Sequence, residues 1–118
     1  MKKTIIVVDD ERTFKSDDEI IYFRTQDEAL SGIVKIWTKW YMSYGSPIDE
    51  LWLDHDLGPD SGDAAEIAEF LKAFDNAWNL SGFIKNIYVH SQNPVGADNL
   101  MGLLDIFNPT RVPLPELV

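Results

Sequence analysis

The stretch Leu51-Trp-Leu-Asp-His-Asp-Leu-Gly58 decides how this chain of 118 residues is folded. The stretch follows a loop, begins with apolar residues and then continues with Asp54, His55 and Asp56. Two carboxylates around an imidazole are poor material for a packed core, whereas they are suited to proton transfer and cation binding. The stretch therefore predicts a strand, Glu50–Asp54, that carries titratable groups at its carboxyl end.

Two other apolar runs end in the same way. The first run of the chain closes at Val8 and is followed by Asp9 and Asp10. A later run, 87–89, is followed by His90 and Ser91. In open α/β sheets, ligands bind along the edge where the parallel strands have their carboxyl ends. We therefore expect a parallel sheet with a functional site along that edge.

The composition limits the class of protein. A chain of this length, with 45% hydrophobic residues, is expected to form a single domain, 1–118. It has no cysteine, which excludes disulfides and zinc–thiolate sites. The apolar run near the N-terminus is too short for a signal peptide or a membrane span, so we expect a soluble cytoplasmic protein without a membrane partner. A net charge of −10 argues against binding to a long tract of nucleic acid.

The order of apolar runs and turn residues predicts alternating strands and helices. The expected strands are Lys3–Val8, Ile20–Arg24, Glu50–Asp54 and Asn86–His90, with an edge strand around Arg111–Leu114. The expected helices run from an N-cap at Thr25 to about Tyr44, from Asp63 to about Asn79, and over roughly Ala97–Phe107. The loop Asp9–Glu19 has little room for a crossover helix, so the first helix of such a fold is shortened or lost.

Asp9, Asp10 and Asp54 form a candidate cation site. Mg²⁺ and Mn²⁺ prefer oxygen ligands, and Mg²⁺ is often held by one or two carboxylates together with water. Acids that cluster at one edge also repel one another unless a cation is present. The alternative is that these aspartates only start loops and cap helices, as Asp commonly does.

His55 and His90 are candidates for acid–base catalysis, because an unperturbed imidazole titrates near neutral pH. Placed at neighbouring strand ends, they could act as base and acid on one phosphoester, with Asp54 or Asp56 fixing one tautomer. The alternative is that a histidine packs in the core with a satisfied hydrogen bond. Which of the two would be the acid is left open by the sequence.

A further group of polar residues could bind the phosphate. Ser91 lacks the flanking glycines of a nucleophile elbow, so phosphate binding is favoured over covalent chemistry. Backbone donors at the start of the last helix, near Ala97, could add to the site. The candidates for substrate binding are Arg12, Ser91, Asn93 and Asn99.

The pattern of Asp9-Asp10, Asp54 at the third strand and Ser91 at the fourth resembles the receiver domains of response regulators. In that family, the acidic pair and the third-strand Asp bind Mg²⁺, and this Asp is phosphorylated. This sequence departs from the pattern, because the lysine of the fifth strand has no clear counterpart and Arg111 is a poor substitute. The two histidines also replace residues that are apolar in typical receivers.

A closer resemblance is to the cyclic-phosphate processing receiver domains of bacteria and phages. The motifs are Asp9-Asp-Glu-Arg12, Leu53-Asp-His-Asp-Leu-Gly58, Val89-His-Ser-Gln-Asn-Pro-Val-Gly96 and Asn99-Leu-Met101. The resemblance implies a receiver-like, flavodoxin-like α/β fold of three layers, with a mostly parallel sheet of four to five strands. It also implies a phosphoesterase, a hydrolase that acts on a 2′,3′-cyclic phosphate at an RNA end, as in RNA repair, or on a cyclic nucleotide. For a phage protein, the location would be the host cytoplasm.

Two other interpretations remain open at this stage. The chain could be a degenerate receiver without activity that binds a protein partner or a nucleotide. It could also keep a phosphoacceptor at Asp54, although the missing lysine counts against this. The oligomeric state, the substrate and the need for a metal are not given by the sequence.

Overall fold

The computed structural model describes residues 3–57, 63–91 and 93–112. Its strands are β1 (Ile5–Val8), β2 (Ile20–Phe23), β3 (Glu50–Leu53), β4 (Ile87–Val89) and β5 (Thr110–Arg111). Its helices are α1 (Gln26–Tyr41), α2 (Ala65–Trp78) and α3 (Pro94–Leu103), followed by a short 3-10 helix, Asp105–Phe107. The alternation of strands and helices agrees with the expected α/β receiver-like fold.

The five strands form one sheet in the order β2-β1-β3-β4-β5, and every neighbouring pair is parallel. Strand β1 lies inside the sheet, and all four of its residues are buried. A strand that is covered on both faces has to be apolar throughout, which is what the sequence of β1 shows. As expected from the short loop 9–19, β1 passes to β2 without a helix between them.

The two faces of the sheet are covered differently. The three helices pack on one face and share one core with every second residue of the strands: Ile6, Val8, Leu51, Leu53, Ile87 and Val89. The opposite face carries a smaller cluster in which Phe14, from the segment between β1 and β2, packs with Ile5 and Val7. In the described part of the chain, the third layer of the expected sandwich is therefore this segment and not a helix.

Helix α1 begins where the sequence predicts and ends three residues early. The Thr25 side chain accepts a hydrogen bond from the Glu28 N–H (3.1 Å), which caps the first turn. The helix ends at Tyr41, and Ser43 has a positive φ of 66°. A left-handed residue cannot continue a right-handed helix, so the expected extension to Tyr44 is wrong.

Helix α3 differs from the predicted range 97–107 at both ends. It begins at Pro94, a residue that fits the first helical position because its missing N–H has no partner there in any case. It ends at Leu103, and the last residues of the predicted range form the 3-10 helix. The edge strand also starts earlier than expected, at Thr110, and the predicted strand end at Leu114 lies outside the described residues. None of the described helices has the length and apolar character required to cross a bilayer.

Candidate functional site

Three polar side chains are buried where neighbouring strands end. Asp9, Asp54 and His90 directly follow β1, β3 and β4, and all three are buried. The Asp54 N–H donates to the Val8 carbonyl (3.0 Å), and the His90 N–H to the Leu53 carbonyl (3.0 Å), so the ladder continues past the strand ends. Because the strands run in parallel register, their next residues arrive side by side at the carboxyl edge. The structure thus brings these three predicted residues together.

Arg12 joins the two buried carboxylates. One guanidinium nitrogen of Arg12 donates to Asp9 Oδ2 (3.1 Å) and to Asp54 Oδ2 (2.8 Å). The Arg12 side chain is 14% exposed, so the ion pairs are largely shielded from water. The sequence predicted Arg12 as a phosphate contact, and in this structure its charge is directed to the two acids.

The pKa of Asp9 lies well below the ordinary range for an aspartate. Burial by itself would raise this pKa, but the hydrogen bond with His90 acts in the opposite direction and lowers it. The backbone N–H groups of Arg12 (2.9 Å) and Glu11 (3.1 Å) and the Arg12 guanidinium add further donors. A carboxylate that accepts several hydrogen bonds is stabilised in its charged form, so Asp9 stays ionised.

The pKa of Asp54 is shifted in the opposite direction. Burial raises it, and the neighbouring negative charge of Asp9 raises it further. The charge of His90, a hydrogen bond from Ser91 and the charge of Arg12 lower it, without outweighing the first two effects. Two carboxylates that share one site have their pKa values pushed apart, so Asp54 is the one that more readily holds a proton.

His90 lies inside the protein. Its side chain has no exposed surface, and Nε2 lies 3.2 Å from Asp9 Oδ2. The ring of Phe14 meets the imidazole edge-on at a centroid distance of 5.0 Å, and the Trp52 ring lies at 5.9 Å. Nδ1 of His90 is buried and has no hydrogen-bond partner among the described residues. The imidazole therefore hydrogen-bonds Asp9 within the protein interior and is shielded from solvent.

His55 occupies a more open place on the helical side of the same edge. Its Nδ1 lies 2.7 Å from Asp56 Oδ1, and its Nε2 lies 3.6 Å from Asp63 Oδ2. The Asp56 side chain is 62% exposed and the His55 side chain is 14% exposed, so the pair reaches the surface mainly through Asp56. The Asn93 amide nitrogen lies 3.5 Å from Asp56 Oδ2, at the outer limit of a hydrogen bond. His55, Asp56 and Asn93 thus form a second group beside the buried cluster.

Ser91 links the two groups. Its hydroxyl contributes a hydrogen bond that lowers the pKa of Asp54, and its Oγ accepts a hydrogen bond from the Asn93 N–H (3.1 Å). Asn99, in contrast, lies exposed on α3, and no hydrogen bond within the described chain connects its side chain to either group. The predicted site is therefore continuous from Arg12 to His55, and Asn99 stands apart from it.

The predicted cation ligands are close enough to share an ion. Carboxylate oxygens of Asp9, Asp10 and Asp54 all lie within 4.8 Å of one another. Oxygen donors of this kind suit Mg²⁺ or Mn²⁺, so the donor set fits the expectation. One oxygen from each of the two buried acids already accepts a hydrogen bond from Arg12, so Arg12 and a cation would compete for them.

The expected backbone donors near Ala97 are already occupied. Asn93 caps α3: its side-chain Oδ1 accepts from the Gly96 N–H (3.0 Å), and its carbonyl accepts from the Ala97 N–H (2.8 Å). Pro94, the first helical residue, has no N–H. The N–H groups of Gly96 and Ala97 are therefore already hydrogen-bonded within the helix and its cap.

Three contributors to the site were missed by reading the sequence. Arg24 donates to the carbonyls of Asp9 (3.3 Å) and Arg12 (2.5 Å) and so holds the segment that carries Arg12. Asp63 was noted only as one of many nearby acids, and it faces Nε2 of His55. Gly96 contacts the ring of His55. Strand alternation could have shown that Arg24 shares a face with Tyr22, whereas the other two contacts cross between elements and leave no sequence signal.

Comparison with known protein families supports the resemblance seen in the motifs. Residues 4–106 match the family described as the cyclic-phosphate processing receiver domain. The chain belongs to this family. No curated protein and no solved structure matches the chain. The family match covers both the buried cluster and the His55 group.

Proposed function

We propose that this receiver domain hydrolyses a cyclic phosphate, such as the 2′,3′-cyclic end of an RNA or a small cyclic nucleotide. The observation that carries the proposal is the surface pair His55–Asp56, joined through Asn93 and Ser91 to the buried acids. The pair places a titratable imidazole next to a charged, partly exposed polar edge. The family description points to the same substrate class.

In the proposed reaction, His55 moves the protons. The 2.7 Å contact with Asp56 suits an Nδ1–H donor, so Nε2, which lies 3.6 Å from Asp63 Oδ2, is the nitrogen that accepts a proton. Nε2 takes a proton from water as the water oxygen bonds to phosphorus, and one phosphorus–oxygen bond to the ribose breaks. The imidazolium then returns the proton to the leaving ribose oxygen, and the product is a phosphomonoester. Asp56 stabilises the charged imidazole, as the aspartate does in serine protease triads.

His90 has a different role in this proposal than His55. The sequence suggested that both imidazoles act on the substrate, one as base and one as acid. Its complete burial against Phe14 and Trp52 supports an indirect role, in which His90 keeps Asp9 ionised and oriented. A single imidazole can serve as base and then as acid in successive steps.

Positive charge for the phosphoryl oxygens would come from Arg12 and from a cation. Arg12 is already at the edge of the buried cluster, and a guanidinium matches the geometry of a phosphate. Asp9, Asp10 and Asp54 would hold Mg²⁺ or Mn²⁺, which when bound offsets negative charge on the phosphoryl group. The Ser91 hydroxyl supplies a neutral donor beside them.

The test is a panel of purified substrates assayed with and without a chelator. It includes 2′,3′-cyclic mononucleotides, a short RNA with a 2′,3′-cyclic end, 3′,5′-cyclic nucleotides and a cyclic dinucleotide, and phosphorus NMR identifies the products. Asp56→Asn is the matched variant, and Asp105→Asn, an exposed acid on the 3-10 helix, is its control. We expect loss of turnover only for Asp56→Asn. No turnover of any substrate by the native protein would rule out the phosphoesterase.

A binding module without activity is the second candidate. The observation in its favour is that Arg12 already pairs with both buried acids, so part of their charge is offset within the chain and without a cation. Such a protein would bind a nucleotide or a protein partner and would turn over none of the panel. Calorimetry with the same cyclic phosphates distinguishes the two, because a binder gives a saturable heat with an unchanged phosphorus spectrum.

A further inference from the structure

The first turn of α3 lies directly against His55. Gly96 is buried, and a β-carbon added to it would lie 2.4 Å from Cγ and 2.6 Å from Nδ1 of His55. Carbon atoms in favourable contact are about 3.5–4.0 Å apart. Any side chain at position 96 would therefore have to displace the imidazole, or the helix, by about 1 Å.

The backbone around His55 is held in place, so the ring is the part that would move. The carbonyl of His55 accepts a hydrogen bond from the Ala64 N–H (2.9 Å). The residue before it, Asp54, is bonded through its N–H to the Val8 carbonyl (3.0 Å). With both attachments present, an added β-carbon acts on the side chain that carries Nδ1.

The same helical turn also contacts the partner of His55. Asn93 Oδ1 accepts the Gly96 N–H (3.0 Å), and its amide nitrogen lies 3.5 Å from Asp56 Oδ2. One cap residue thus connects the start of α3 with Asp56, while Gly96 contacts the imidazole. The start of α3 touches both members of the His55–Asp56 pair.

We infer that Gly96 is a positioning residue, which lets the imidazole of His55 lie against α3 with Nδ1 directed to Asp56. The inference rests on the proposed function in that it assigns a purpose to this geometry. The contact itself does not depend on that function. Gly96 acts through His55 and does not itself touch the reacting atoms.

Helix α3 provides its own control. Gly102 lies on the same helix, and a β-carbon added there would meet nothing within 4 Å. Alanine favours a helix over glycine at both positions, so Gly96→Ala and Gly102→Ala differ mainly in the contact with His55.

The first measurement is NMR of the His55 ring without substrate. For Gly96→Ala, we expect displaced ring resonances and loss of the signature of an Nδ1–H bonded to a carboxylate. For Gly102→Ala, both should match the native protein. Native ring signals in Gly96→Ala would overturn the inference, and this result would be informative even if the protein proved to have no activity.

The second measurement is kinetic and uses a cyclic phosphate that the native protein hydrolyses. A misplacement of about 1 Å can lower a rate by about 10²-fold, so we expect kcat to fall by about that factor in Gly96→Ala. KM should change little, because Arg12 and Ser91 are untouched. If the native protein hydrolyses the substrate and Gly96→Ala has the same kcat, the inference is overturned, whereas the phosphoesterase proposal is not.

A third variant keeps the test decisive if Gly96→Ala does not fold. In the background of His55→Gly, all three atoms of His55 that lie within 3.0 Å of the added β-carbon are absent. Gly96→Ala should then lower the melting temperature far less than it does in the native protein. An equal loss in both backgrounds would show that the clash is with something other than His55, and would overturn the inference.

Discussion

Among the described residues, two histidine–aspartate pairs within hydrogen-bond distance differ in burial. His90 and Asp9 lie 3.2 Å apart and are fully buried, whereas His55 and Asp56 lie 2.7 Å apart, with His55 14% and Asp56 62% exposed. His90 packs against Phe14 and Trp52 and Asp9 pairs with Arg12, whereas Asp56 faces solvent. Identical residue types thus lie in two different environments, and we expect the buried pair to contribute mainly to stability and the more exposed pair to activity.

The largest expected effect separates the pairs by activity. His55→Ala should lower turnover of a cyclic phosphate by about 10²–10⁴-fold, the usual contribution of a general acid–base group. Its circular dichroism spectrum should remain native. Initial rates across pH 5–9 provide the measurement. Full activity in His55→Ala would mean that the surface pair takes no part in the reaction.

The second prediction separates the pairs by stability. His90→Ala removes a fully buried side chain that packs against Phe14 and hydrogen-bonds Asp9, and the loss of a buried side chain of this size typically costs about 2–5 kcal/mol. We expect a loss of free energy of unfolding in this range from urea titrations at pH 7, and a much smaller loss for His55→Ala. Equal losses for the two variants would contradict the contrast drawn between the pairs.

The contributions of the two buried aspartates to the free energy of unfolding should depend on pH in opposite directions. The pKa of Asp9 is lowered on folding, so its charge stabilises the fold above the ordinary aspartate pKa of about 3.9. That contribution is lost as the pH falls through the folded-state pKa. The pKa of Asp54 is raised, so its contribution is present at acid pH and is lost as the pH rises through its folded-state value.

Substitution by asparagine tests these signs. At pH 7, Asp9→Asn should lower the free energy of unfolding by about 1–3 kcal/mol, because its donors lose a charged acceptor. Asp54→Asn should lower it less, or raise it, because the repulsion with Asp9 disappears. Urea titrations at pH 7 and pH 3 provide the measurement, and the deficit of Asp9→Asn should shrink at pH 3. A larger loss for Asp54→Asn would reverse the assignment.

The smallest expected effect concerns the cation. If Mg²⁺ or Mn²⁺ binds Asp9, Asp10 and Asp54, a concentration ten times the Kd stabilises the fold by about 1.4 kcal/mol. For a domain of this size, this raises Tm by several degrees. Asp54→Asn should reduce the shift, Asp105→Asn should not, and Arg12→Gln should increase it because Arg12 holds the same oxygens. The absence of any shift at millimolar metal would speak against the cation site.

Much of the fold follows from the sequence for local reasons. The continuous apolar runs identify buried parallel strands, and Thr25 with Glu28 predicts the start of α1. The error at the end of α1 arises at Ser43, whose left-handed conformation has no signature in a serine. The start of α3 was missed, although Asn93-Pro94 is a recognisable cap followed by proline at the first helical position.

The apolar runs and the polar residues after them are enough to predict that Asp9, Asp54 and His90 lie together, because parallel register places the residues after neighbouring strands side by side. Which histidine is buried follows from the packing of the whole chain, because Phe14 and Trp52 lie against His90 on one face of the sheet. The same packing brings Arg12 to two acids that are 45 positions apart in the chain (54 − 9) and Gly96 next to His55. Local sequence fixes the conformation of each segment, whereas burial and electrostatics depend on which distant segments pack against it.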